Sequence, residues 1–458
     1  MFGYFRLGDD TYIYLQYAKH ILKNGEISFN LGFPSYGFTG PFWLGLIVLL
    51  GKIFGLFINI PTVLSFFFGL ATIIVWYFII KNYALRLEIF LISLVLIAVD
   101  PNLLKHAYLG MEATASYFFS SCLIYISFIS KDKTKIIWLG ICIGLFHLIR
   151  PESVIISTVL LIYLFYNHTS YKKIVAVAAI VFIIILPWYL FAHFYFDQLF
   201  PNTFYAKGAS YTLGKYFFKN LLDVIKIFIG SYFLMILYIL AVLFNNWRKV
   251  VLNSSPIVSF LIIGAVVLFY TITISNELVY SRYLSIIFPF LFFIFFEFLQ
   301  RTDFTGLRSK KILIVTVILS HILLAGFYRL QASDFFLAHK KVENKIIEWV
   351  NGNTCLENKI IRGRIGEIGF YTDRHIIDPM GLINGDIIPY NVNNNQSKYY
   401  ELVKPDYYIG YDANPKIGDK LVLRKKIIFK KENMARDFFL SQNKIAYDTL
   451  RIYKVKYN

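Results

Sequence analysis

The chain has 458 residues; 57% are hydrophobic, 19% aromatic and only 16% charged, with a mean hydropathy of +0.58. Soluble domains carry roughly 25% charged residues, so the composition excludes an ordinary soluble protein and points to the membrane class. The formal net charge of +18 does not imply nucleic acid, because much of the basic charge lies in short loops between apolar runs, where bilayer orientation accounts for it.

Before Asp9 there is neither a basic n-region nor an apolar h-region, so no signal peptide is read; a helix preceding this sequence is expected. Residues 1–61 read as an extracytoplasmic loop with juxtamembrane helices. Asp9 and Asp10 head it, followed by "TYIYLQYAKHILKNG", an amphipathic helix ending near Asn24–Gly25. The apolar stretch 40–57 is interrupted by Lys52 and several glycines and reads as an interfacial helix.

Residues 62–328 read as a multi-pass membrane domain. Apolar runs lie at about 62–80, 87–99, 113–130, 136–149, 153–167, 174–196, 222–244, 256–274, 283–300 and 311–328. Several are shorter than the roughly 20 residues of a straight span. Alternate loops hold Lys81 and Arg86; Lys131, Lys133 and Lys135; Lys172 and Lys173; Arg248 and Lys249; and Arg301, Arg308, Lys310 and Lys311. By the positive-inside rule these loops are cytoplasmic. The opposite loops and everything after Tyr328 then face outward. Nine of the 13 acidic residues before residue 329 fall on that outward side, all but Glu88, Asp132, Glu297 and Asp303. Acids barely influence topology, so a catalytic face is one cause of the bias and solvated loops are the other.

From 329 to 458 the charge rises and short β-like runs appear: "KIIRGRIGEIGFY", "HIIDPMGLI", "DYYIGY", "KLVLRKKIIF" and "RIYKVKY", after a helix "DFFLAHKKVENKIIEWVNGN". The fold class expected is an all-α polytopic membrane domain followed by a smaller soluble α/β or α+β C-terminal domain, itself of ordinary domain size. Its basic charge suits anionic lipid or a phosphorylated substrate. Cys122, Cys142 and Cys355 offer neither a disulfide framework nor metal spacing.

The chemistry-bearing residues sit in the outward loops. One carboxylate of Asp9–Asp10 can act as general base toward an acceptor hydroxyl; the bland alternative is a helix N-cap. Arg150 and Glu152 flank Pro151 and either pair with each other or present Arg150 to a phosphate. Glu112 and Arg282 stand at outer helix ends. Lys207, in "PNTFYAK", either neutralises a phosphate or snorkels from an aromatic belt. No Walker loop, dinucleotide fingerprint, H-E-x-x-H or G-x-S-x-G is present.

"DDTYIYLQYAKHILKNGEISFN…PSYGFTGPFW", "GMEA", "RPES", "FPNTFYAK", "SRYL" and "GEIGFYTDRHIIDPMGLIN" follow in that order. The set resembles polyprenyl-phosphate-sugar-dependent glycosyltransferases of the GT-C fold, above all the mycobacterial-type cell-wall arabinofuranosyltransferases and their bacterial relatives. "RPES" and "GMEA" depart from the expected "RPEG" and "GLET", and the helix such enzymes carry before the acidic pair is not in this sequence.

The resemblance implies a bacterial inner-membrane enzyme with its site on the periplasmic face. It would transfer a sugar with inversion from a lipid-phosphate donor to a cell-envelope glycan or glycolipid. The expected catalytic residues are Asp9, Asp10 and Glu112. Arg150, Lys207 and Arg282 are expected at the donor phosphate, and Tyr12, Tyr36, Glu152, Asn202 and Tyr205 as substrate-binding. No motif demands a cofactor; a divalent cation, if used, would sit on Asp9 or Asp10. Nucleic acid is not an expected partner. The competing readings are transfer to a protein Ser or Thr by the same fold, and a non-enzymatic flippase for lipid-linked sugars.

Overall fold

A computed structural model describes residues 7–83, 86–132, 134–208, 214–251, 254–274, 281–301, 307–412, 415, 417, 420–431 and 446–457. Lys133, Glu277 and Asp303 lie outside the described residues, as do the side chains of Lys207, Arg248, Lys249 and Arg301.

The first helix, α1 (Asp9–Asn24), is not the surface helix its pattern suggests: every residue from Thr11 to Ala18 is buried. Its polar side chains find partners inside. Gln16 donates to the Phe29 carbonyl at 3.3 Å, Tyr17 shares a 2.7 Å hydrogen bond with Ser35, and His20 Nδ1 donates to the Ser28 carbonyl at 2.9 Å. Pairing of this kind lowers the cost of burying them, although Oε1 of Gln16 takes no hydrogen bond among the described residues. A small hairpin, β1 (Ser28–Asn30) and β2 (Phe33–Pro34), leads to α2 (Pro41–Phe54). The 14 residues of α2 reach about 21 Å, short of the roughly 30 Å hydrocarbon core.

The membrane domain continues as α3 (Ile60–Lys81), α4 (Leu87–Ala98), α5 (Pro101–Leu109), α6 (Ala113–Ile124, prolonged by a π-turn over Tyr125–Ile129), α7 (Lys135–Ile149), α8 (Ser153–Tyr166), α9 (Tyr171–Phe196), α10 (Asn202–Gly208), α11 (Phe217–Val251), α12 (Ser254–Thr273), α13 (Ser281–Leu284), α14 (Phe288–Arg301) and α15 (Leu307–Asn353). Helix stands at each of the ten expected runs. Among the described residues, five helices are long and apolar enough to cross a bilayer: Ile60–Lys81, Tyr171–Phe196, Phe217–Asn245, Ser254–Thr273 and Arg308–Phe327. A sixth crossing is possible if α4 and α5, bent by 42° at the Asp100–Pro101 break, count as one. The run expected over 283–300 is divided into α13 and α14.

Apolarity all round a helix means burial on all sides or exposure to lipid. Both occur. The rings of Phe290, Phe292, Phe293, Phe295, Phe296 and Phe298 on α14 are no more than 1% exposed, so α14 is the axis of the bundle. On α9 only Val177 and Ala192 are buried.

Loop contacts sort the helix ends into two sets. At one end Gly8 N–H donates to the Leu109 carbonyl, and Arg150 reaches the loop before α14. At the other, Tyr83 donates to Glu297 at 2.9 Å and Lys311 pairs with Glu88. The loops beside Lys81 and Lys311 thus lie at the end opposite the loops that hold Arg150 and Arg282.

The last element of the bundle, α15, runs unbroken for 47 residues, so residue 328 falls inside a helix and not at a linker. Beyond it come β3 (Lys359–Ile361), α16 (Gly366–Thr372), β4 (His375–Ile377), α17 (Ile388–Val392), α18 (Gln396–Val403), β5 (Tyr407–Gly410), β6 (Lys420–Lys431) and β7 (Ala446–Lys456). The sheet order is β4-β3-β5-β7-β6, with β3 parallel to β4 and β5, and β7 antiparallel to β5 and β6. "GEIGFY", expected as β-like, is helix α16. Its first amides are satisfied by a carboxylate of α1, a tertiary contact that local pattern does not encode.

Candidate active site

Gly8 is the N-cap of α1 and makes no side-chain cap, so neither aspartate plays the capping role. Both lie in the first turn, where the positive end of the helix dipole favours carboxylates. Successive helical residues are about 100° apart, and the two carboxylates diverge accordingly. Asp10 pairs with Nη1 of Arg282 on α13; their side chains are 41% and 23% exposed. The same Nη1 lies 3.6 Å from the Met111 sulfur.

Behind this pair Arg150 is locked in place. Its Nη2 donates to the Arg282 carbonyl at 2.9 Å, its Nε lies 3.7 Å from Glu112 and its Nη1 lies 3.6 Å from Glu152. The guanidinium also sits over the Tyr283 ring at 5.6 Å. Glu112 is aimed there by the turn at Gly110, whose φ is +68° and where a Cβ would stand 3.2 Å from the amide of Thr62; only glycine meets both demands. Oε2 of Glu112 is buried and takes no hydrogen bond among the described residues. Tyr14 of α1 completes this wall: its oxygen accepts from Gly40 N–H at 3.2 Å. Burial, with Glu112 nearby, holds its phenol well above the usual range.

The C-terminal domain closes the other side. Asp9 accepts from the N–H groups of Gly366 at 3.3 Å and Glu367 at 3.2 Å. Burial raises the Asp9 carboxyl above its ordinary value; Arg364 opposes this and Asp10 adds to it. Arg364 lies 3.8 Å from Glu343, which itself accepts from Arg362 at 2.6 Å. After β4, Asp378 accepts from the amides of Met380 at 2.9 Å and Leu382 at 2.7 Å. Burial lifts its carboxyl to about 6, helped by Asp9 and Asp10.

Asp9, Asp10, Glu112, Arg150, Glu152 and Arg282 therefore gather at one end of the bundle. The other expected residues do not join them through any described contact. Tyr12 is packed against Phe370 and Tyr371, with ring centroids 5.8 and 5.7 Å away. Tyr36 accepts from the Trp188 indole at 2.7 Å and stacks on Phe196. Asn202 is buried, donates its backbone N–H to the Tyr36 carbonyl at 2.8 Å and presses on Gly385. Tyr205 is exposed beside Phe204, and the side chain of Lys207 lies outside the described residues. Tyr14, Arg364 and Asp378 were not singled out in the sequence. The last two lie in or beside "GEIGFYTDRHIIDPMGLIN", whose run of glycines among acids was the available signal. Among the described residues no three His, Cys, Asp or Glu side chains are grouped to hold a metal ion.

A domain of unknown function, DUF8728, matches residues 330–453. No curated protein matches the chain. In three dimensions the chain is similar to ArnT from Cupriavidus metallidurans bound to undecaprenyl phosphate, with a TM-score of 0.60 over 88% of each chain at 12% identity. The apo state of that ArnT gives 0.58 over 88% of each chain at 13% identity. The chain has the GT-C fold. At such identity the likeness speaks to the fold alone.

Proposed function

We propose that the protein is a membrane glycosyltransferase that moves a pentose or hexose from a polyprenyl-phosphate carrier to a hydroxyl of a cell-envelope glycan, on the outer face of the inner membrane. The observation that carries this reading is the meeting of Asp10, Arg282 and Arg150 at one end of a GT-C bundle. The undecaprenyl phosphate bound to the similar ArnT structure supports the class of carrier.

The residues suit that reaction. A carboxylate of the acidic pair takes the proton from the acceptor hydroxyl. The freed oxygen attacks the anomeric carbon from the face opposite the phosphate, and the carbon–oxygen bond to phosphate breaks, with inversion. Polyprenyl phosphate departs as an anion, so no strong acid is needed; fixed guanidinium groups meet the charge as it develops. Arg282 is the donor-phosphate contact, since guanidinium geometry matches phosphate oxygens. Arg150 holds the Arg282 backbone in place, and Glu112 and Glu152 hold Arg150.

The test is donor turnover in proteoliposomes offered a panel of polyprenyl-phospho-sugars and glycan acceptors, read as release of polyprenyl phosphate. Arg282→Ala should lower turnover by about 100-fold or more. Wild-type turnover in that variant, or failure of the wild type to consume any donor in the panel, would overturn the reading. A peptide acceptor in the same assay separates transfer to protein.

A further inference from the structure

Two neighbouring aspartates invite a shared role. Their surroundings differ in kind. Asp9 is bound on both oxygens by backbone N–H groups of the C-terminal domain, Gly366 at 3.3 Å and Glu367 at 3.2 Å. These amides open α16 and have no intrahelical acceptor, so Asp9 of α1 does for α16 what a capping side chain does within one chain segment. Gly366 is part of the fit: a Cβ there would run into the Asp9 carbonyl and stand 3.2 Å from the Tyr12 Cβ. Tyr12, one helical turn along, packs between Phe370 and Tyr371. Asp10 pairs instead with Arg282, and its side chain is 41% exposed.

We infer that the two carboxylates have separate tasks: Asp9 is the joint that fastens the C-terminal domain onto the first turn of α1, and Asp10 alone faces the reacting groups. The second half rests on the glycosyltransferase reading, whereas the first half does not. Asp9 is thus a positioning residue. It seats α16 and brings Arg364 and Asp378 to the acidic pair, and it stays engaged while Asp10 exchanges its partner.

The experiment is hydrogen exchange on the full chain in nanodiscs, following residues 359–378, in parallel with donor turnover. Asp9→Ala and Gly366→Ala should each speed exchange in that segment by about 10-fold or more, because opening the joint exposes α16 and β4. Asp10→Ala should leave exchange as in the wild type. Asp9→Asn keeps an oxygen acceptor for the two amides, so turnover should stay within about 10-fold of wild type, whereas Asp10→Asn should lose about 100-fold or more. Unchanged exchange in both Asp9→Ala and Gly366→Ala would overturn the joint. Asp9→Asn as inactive as Asp10→Asn would overturn the division of labour. If the wild type turned over no donor, the glycosyltransferase reading would fall and the exchange result would still decide the joint.

Discussion

Two ion pairs of similar chemistry stand at opposite ends of the bundle. Arg150 and Glu112, at the end that carries the acidic pair, are each 5% exposed along their side chains. Lys311 and Glu88, at the other end, are 35% and 68% exposed. Removing charges from water costs several kcal/mol per ion even after relaxation, and solvated loops never meet that cost. The far end buries one carboxylate, Glu297, against the Tyr83 hydroxyl; the end where an ion pair is buried is also the end where α1, three interhelical loops and the C-terminal domain converge. The lesson is that one rim of this membrane protein leaves its ion pair to solvent, and the other is built.

The largest effect should come from breaking the built rim. Glu112→Ala strands Arg150 with Glu152 as its remaining carboxylate partner, and removing one member of a buried pair typically costs about 3–5 kcal/mol. The melting temperature of the detergent-solubilised protein should drop clearly, and turnover should fall with it because Arg150 positions the Arg282 backbone. A melting temperature within error of wild type would erase the distinction between the two rims.

Next in size is a pH effect at the C-terminal side of the same rim. Asp378 is held by burial at about 6 against an ordinary 3.8, so the folded state binds its proton more tightly than the unfolded chain does. Its contribution favours folding most below about pH 4 and is lost as pH rises through about 6, a span of roughly 3 kcal/mol for a shift of about two units. Melting temperatures of wild type and Asp378→Asn, compared between pH 4 and pH 7, should converge at the acid end and diverge toward neutrality, with the wild type steeper. Parallel curves would mean that Asp378 is not the group responsible.

What could be read from the sequence divides along the same line. The membrane helices were legible because hydropathy needs no partner: each apolar run is helical. Asp10, Glu112, Arg150 and Arg282 were legible as charges at helix ends, where their cost implies a use. The burial of α1 was not, because it arises from α16, some 350 positions away, pressing on Tyr12 while α2 packs elsewhere on the helix. Nor was the helical state of "GEIGFY", since Asp9 supplies its missing acceptor. Tyr36 and Asn202 stand apart from the charged group for a related reason: polar aromatic loops look alike whether they meet a substrate or, as with Tyr36 and Trp188, each other.

The smallest effect is expected at the solvated rim, and it sharpens the contrast most. A double-mutant cycle of Lys311→Ala and Glu88→Ala should return a coupling of about 0–1 kcal/mol, as exposed pairs do, with turnover unchanged in all three variants. Exchanging the two charges, Lys311→Glu with Glu88→Lys, should be tolerated for stability as well, because a solvated pair has no preferred direction. A coupling as large as that of Arg150 with Glu112 would show that the second rim also confines an ion pair, and the buried pair at the acidic-pair end would lose its value as a mark of function.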